Sequence, residues 1–125
     1  MILRIQTFYL SLAFFLSILI YTYSFDTLHN TIIGKSHFFL VSATILIFTI
    51  LLYKKRSFQS FICSLLLILN LFVLILTTYN FINKLYLNLV HFLPILILIK
   101  QSLIFYARKS IIKDENLIRS IDRLR

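Results

Sequence analysis

Few side chains in this sequence could do chemistry, and they do not converge. His29, His37 and His91 stand far apart, and none has metal-ligand spacing with Cys63, the single cysteine. Asp26 has no second carboxylate beside it for acid–base work. No serine occupies a nucleophile-elbow context, and the single glycine rules out a glycine-rich phosphate loop. The expectation is a non-enzymatic protein with no catalytic residues, no metal site and no cofactor.

What remains is a set of polar residues in oily surroundings. His91 has Asn88 three residues before it and Pro94 three after it. At helical spacing Lys84, Asn88, His91, Leu98 and Ser102 share one broad face. Such a face is either a polar track for protons or a small ligand, or the site of a histidine bonded to a neighbouring helix. The second is preferred, because a relay needs more than one ionisable group at that depth. Asn70 belongs to a stripe with Ser60, Cys63, Ser64, Leu67, Leu74 and Thr77. A lone amide at mid-helix is costly unless bonded. Ser60 with Ser64, and Ala13 with Ser17, form small-xxx-small pairs that let helices approach closely; Ser42 and Thr49 share a face of their own segment. Internal helix packing is the expected role of these stripes, a dimer seam the alternative.

The elements that hold these residues follow from composition. Apolar residues make up 60% of the 125, against about 45–50% in an ordinary soluble domain. A soluble chain this short could not hide so much Leu, Ile and Phe from water. Lipid is the alternative solvent. An α-helical span needs about 20 mostly apolar residues, and four stretches qualify: Thr7–Tyr23, His37–Tyr53, Phe58–Tyr79 and Leu85–Tyr106. None contains an acidic residue, and only Lys100 brings a positive charge into them. Backbone groups in hydrocarbon must pair within their own segment, which demands helices rather than open strands. Stretches such as Ser64–Leu76 lack the alternation of a β-barrel. The expected fold is all-α, an integral membrane four-helix bundle over residues 1–106, with a short amphipathic helix as a basic tail over residues 107–125.

Charge sets the orientation. Arg4, Lys54, Lys55, Arg56 and the tail residues Arg108, Lys109, Lys113, Arg119, Arg123 and Arg125 put ten positive residues on one side. Lys35 and Lys84 alone fall on the other. The positive-inside tendency places the rich side, and so both termini, in the cytoplasm of a bacterial inner membrane. All seven tyrosines lie near the expected helix ends, where amphipathic rings favour the interface. Lys100, about a turn and a half before Tyr106, is expected to snorkel its ammonium to that interface. Arg4 and the run Ile5–Ile20 also fit a secretory signal, but Tyr21, Tyr23 and Phe25 crowd the candidate cleavage residues Thr22 and Ser24. The first span is expected to be retained. The formal net charge of +9 would suggest nucleic acid in a soluble protein, but its confinement to short segments between apolar runs argues against that partner.

The tail is the most informative polar segment. Ile111, Leu117, Ile118, Ile121 and Leu124 fall in one helical sector, and Arg108, Glu115, Arg119, Asp122 and Arg123 in another. Glu115 and Arg119 form an i,i+4 pair in the favoured order. Asp114 breaks the apolar sector and wants a partner, for which the Lys54–Arg56 loop is the candidate. Three roles compete: lying on anionic lipid head groups, docking under its own bundle, or recruiting another protein through Ser120–Arg125.

Two end motifs carry a resemblance. The start reads Arg4-Ile5-Gln6-Thr7 followed by Tyr9-Leu10, and the end reads Lys113-Asp114-Glu115, Leu117, Arg119-Ser120 and Asp122-Arg123-Leu124-Arg125. With four spans between them, the chain resembles a family of small bacterial membrane proteins of unknown function, mainly from the Bacteroidota. The resemblance covers essentially the whole chain and implies a four-helix inner-membrane protein with no established activity. The leading expectation is a scaffold or accessory subunit presenting its basic tail to a protein partner or a second copy. The alternative is a small transporter or channel component using Asn70 and His91.

Overall fold

The computed structural model describes residues 5–28, 35–83 and 92–122. They form four helices and no strand: α1 (Ile5–Leu28), α2 (Lys35–Leu51), α3 (Arg56–Asn83) and α4 (Phe92–Asp122). Two stretches, Ile5–Thr22 and Arg56–Tyr79, are long and apolar enough to cross a membrane; α2 offers the shorter apolar stretch His37–Leu51. The sequence leads one to expect a separate tail helix after Tyr106. Instead α4 runs 31 residues without a break. Nothing in Ala107–Lys113 stops a helix: there is no Gly or Pro to end one.

Every helix buries residues at alternating three- and four-residue steps. On α1 the buried positions are Gln6, Leu10, Ala13, Ser17 and Ile20; on α2 they include Phe39, Ser42, Leu46 and Thr49. On α3 they are Gln59, Cys63, Leu66 and Asn70, and on α4 Leu93, Ile97, Lys100, Ile104, Ala107 and Ile111. A 3.5-residue repeat keeps one seam facing its neighbours along a bundle, as in coiled-coil packing. The stripe on α3 is therefore centred one position from the expected one. Ser60 and Ser64 sit on its flank, each returning its hydroxyl to its own helix at Ser57 O and Phe61 O. Gln59 and Leu66 take the inward places.

α1 packs along α2 and α4, and α4 packs along α3, while α2 and α3 touch sparsely. The turn at Leu52–Lys55 joins these last two, closed by Lys55 N–H donating to Leu52 O at 2.9 Å. Two apolar clusters fill the interior. One gathers Leu10, Ala13, Leu46, Cys63, Leu66, Ile104, Ala107 and Ile111. The other gathers Ile20, Phe39, Leu93 and Ile97, with Val73 and Leu74 against it. The outside is oilier than the inside in places: Phe8, Phe15, Phe48, Ile68, Phe72 and Ile75 are exposed.

Candidate functional site, two polar layers in an apolar bundle

The buried polar residues, together with half-buried Asp114, fall into two layers, one residue from each helix in each. The middle layer lies between the apolar clusters. Ser17 stands between Ala13 and Ile20, Ser42 between Phe39 and Leu46, Asn70 between Leu66 and Val73, and Lys100 between Ile97 and Ile104. The base layer lies beyond the larger cluster and comprises Gln6, Thr49, Gln59 and Asp114.

The base layer ties the bundle end together. Gln6 Nε2 donates to Asp114 Oδ2 at 2.6 Å, joining α1 to α4. Gln59 Nε2 donates to Thr49 O at 3.1 Å, joining α3 to α2. Arg56 Nη1 reaches Asp114 O at 3.4 Å, joining α3 to α4. The expected meeting of Asp114 with the basic loop takes a different form. Arg56 finds the main chain of Asp114, and the carboxylate goes to Gln6. Lys54 and Lys55 are exposed, with the Lys54 ammonium 6.0 Å from the Tyr53 ring. The signal for Gln6 in the sequence is its phase: it is the one amide near the start of α1, four residues before Leu10 and seven before Ala13.

The middle layer is built around Lys100, whose expected route to the interface is not taken. The residue has no exposed surface, because its heptad position points into the bundle between two inward isoleucines. Its Nζ donates to Ser42 Oγ at 2.8 Å and lies 5.6 Å from the centre of the Phe39 ring, over its face. Ring quadrupoles attract such a cation. Ser42 passes its own proton to Phe39 O at 2.8 Å, and Ser17 does the same to Ala13 O at 2.8 Å. Asn70 is 1% exposed, and neither its Nδ2 nor its Oδ1 has a hydrogen-bond partner. Lys100 has no ion pair among the described residues; the pair found there is Arg119 with Glu115 at 2.6 Å.

Asn88, His91, Arg123 and Arg125 lie outside the described residues, as does the side chain of Asp122. Leu98 and Ser102, which share the helical face assigned to His91, are exposed. They line an outer groove of about 430 Å³ between α3 and α4, with Leu67, Leu71 and Gln101 among its walls. Described residues of that face thus point away from the bundle axis, and Asn70 and Lys100 point toward it. Beyond Glu115 the described part of α4 has left the bundle: Leu117, Ile118 and Arg119 are exposed. Among the described residues no group of three or more His, Cys, Asp or Glu could hold a metal ion.

A family model for a domain of unknown function, DUF4293, matches residues 25–124, four-fifths of the sequence. The chain belongs to the DUF4293 family. That match takes in α2, α3 and α4 whole, so the Ser42, Asn70 and Lys100 positions of this DUF4293 protein all fall within it. No curated protein and no solved structure matches the chain.

Proposed function

We propose that this DUF4293 protein is a small multi-pass protein of a bacterial inner membrane, with both termini in the cytoplasm, serving as a non-enzymatic scaffold or accessory subunit. The observation that carries this is the inverted distribution of polarity. Only 17% of the Arg56–Tyr79 stretch and 28% of Ile5–Thr22 is buried, so most of the apolar surface faces outward, while Lys100, Asn70, Ser17 and Ser42 face inward. In water such a surface would drive aggregation; in hydrocarbon it is the favoured arrangement.

The threading rests on charge. The Lys54–Arg56 turn, Gln6 and Asp114 meet at one end, which therefore also gathers Arg108, Lys109 and Lys113. Positive residues favour the cytoplasmic face. α4 supplies the presenting element. A 31-residue helix is about 46 Å long, more than the roughly 30 Å of a hydrocarbon core. Its far end, with Leu117, Ile118 and Arg119 exposed, projects as an arm suited to anionic lipid head groups or a protein partner.

The test is twofold. The protein is expected to stay in the pellet after alkaline washing of membranes, with cytoplasm-reporting fusions active at both ends. Deleting residues 116–125, which spares the Asp114 contacts, is expected to leave the bundle folded and to remove a co-purifying partner. Recovery of the intact chain in detergent-free buffer as a dispersed monomer overturns the membrane assignment. A transporter or channel role is the second reading, favoured by the unpartnered amide of Asn70 at mid-bundle.

A further inference from the structure

The middle layer has more hydrogen-bond donors than acceptors. Lys100 carries three N–H groups and spends one on Ser42; Asn70 carries two and spends none. Against these four stand the orphaned Asn70 Oδ1 and hydroxyl oxygens whose protons are already committed to backbone carbonyls. The surplus is cationic. A positive charge at membrane depth is costly and calls for a partner, an opposite charge or backbone carbonyls.

Among the described residues Lys100 has no such partner. The chain's four acidic residues are Asp26, Asp114, Glu115 and Asp122, so no carboxylate occurs between positions 27 and 113. Asp114 is bonded to Gln6 and Glu115 to Arg119, both at the far end of α4. We propose that the middle layer is a binding site for one carboxylate supplied from outside the chain, held by the Lys100 ammonium and the Asn70 amide. This rests on the membrane assignment above and deepens the accessory-subunit role. The carboxylate belongs to an acidic residue on a transmembrane helix of a partner or to a free fatty acid.

The entrance is the seam between α2 and α3, where the bundle is least closed. Leu67 and Leu71 line the groove toward α4. At helical spacing Leu69 and Val73 lie on the opposite flank of Asn70, the flank facing the seam. Leu69 is exposed and Val73 half-buried.

The experiment uses the full-length chain in two settings. In detergent, thermal unfolding is followed with decanoate, against decanol and decyltrimethylammonium at equal concentration. Decanoate at about tenfold above its Kd is expected to raise the midpoint by several degrees, since binding only the folded state stabilises it. The two controls are expected to leave it unmoved, and K100M and N70L to be unresponsive although both elute like the wild type. In intact membranes, a photo-crosslinking residue at position 69 is expected to capture a polypeptide with an acidic transmembrane residue. K100E is expected to abolish that capture, and exchange of the partner's acid for lysine to restore it.

A decanoate response without Lys100-dependent capture identifies a fatty acid as the source; capture restored by charge exchange identifies a partner helix. Either supports the site. A membrane-embedded protein for which wild type and K100M behave alike in both settings overturns the site and leaves the membrane assignment intact. A chain found soluble without detergent overturns the membrane assignment itself.

Discussion

The two polar layers have the same make-up, one polar side chain from each helix, yet they are finished differently. At the base, Gln6, Gln59 and Arg56 each reach an acceptor on another helix, and the bundle end is tied by three such contacts, with Gln6 Oε1 the one atom of those residues left buried without a partner. In the middle, Lys100 has one hydroxyl and a ring face, and Asn70 has nothing. Polar groups that bond across helices specify register and alignment; a buried charge and an amide with neither atom paired burden the fold. Its three cross-helix bonds give the base layer a structural role. The middle layer is incomplete, and that is the reason to assign it a ligand.

The sharpest way to break this contrast is K100M, a substitution of similar length without charge. Removing a buried, uncompensated charge is expected to stabilise the ligand-free chain by about 1–4 kcal/mol, read as a higher unfolding midpoint in detergent. A lower midpoint would make the middle layer as structural as the base. N70L comes next, with an expected gain of about 1–3 kcal/mol, because both unpaired amide atoms disappear. Its effect is expected to fall short of additive with K100M, since the two share a layer.

The base layer is expected to respond with the opposite sign. D114A leaves the Gln6 amide without its acceptor and is expected to lower stability by roughly 1–2 kcal/mol, measured in the same unfolding assay. Q59L is expected to lower it by about 0.5–1.5 kcal/mol through loss of the bond to Thr49 O. The smallest effect is expected at R119A. That ion pair is exposed on the Arg119 side and follows i,i+4 spacing, so its loss is expected to change stability by about 0.2–0.5 kcal/mol. A large drop there would mean that the arm is held against the bundle.

How much of this was legible beforehand varies with the residue. Asn70 stood out because an amide in a long apolar run has few explanations. Spacing alone pairs Glu115 with Arg119, and the structure has that pair. Lys100 departs from its expected place for a definite reason. Its distance along the chain from the helix end suggests snorkelling, but snorkelling also requires that the stem start from an outward face. Phase around the helix axis decided the matter, and phase shows only when the heptads of four helices are aligned against each other. Gln59 is hidden from the sequence for the same reason: the polar pattern of α3 runs through the serines beside it, and a one-position shift exchanges flank for centre.

The sequence by itself determined that the chain is helical, that its helices are apolar around most of their circumference, and that its positive charge collects at one end. Those properties follow from composition and short-range periodicity, which need no partner element to be read. Only the tertiary structure decided that α4 continues unbroken past the bundle, that Asp114 closes on Gln6 across 108 positions of chain, and that Lys100 turns inward to Ser42. The physical reason is common to all three. Each depends on which face of one helix meets which face of another, and that is settled by packing complementarity among distant segments.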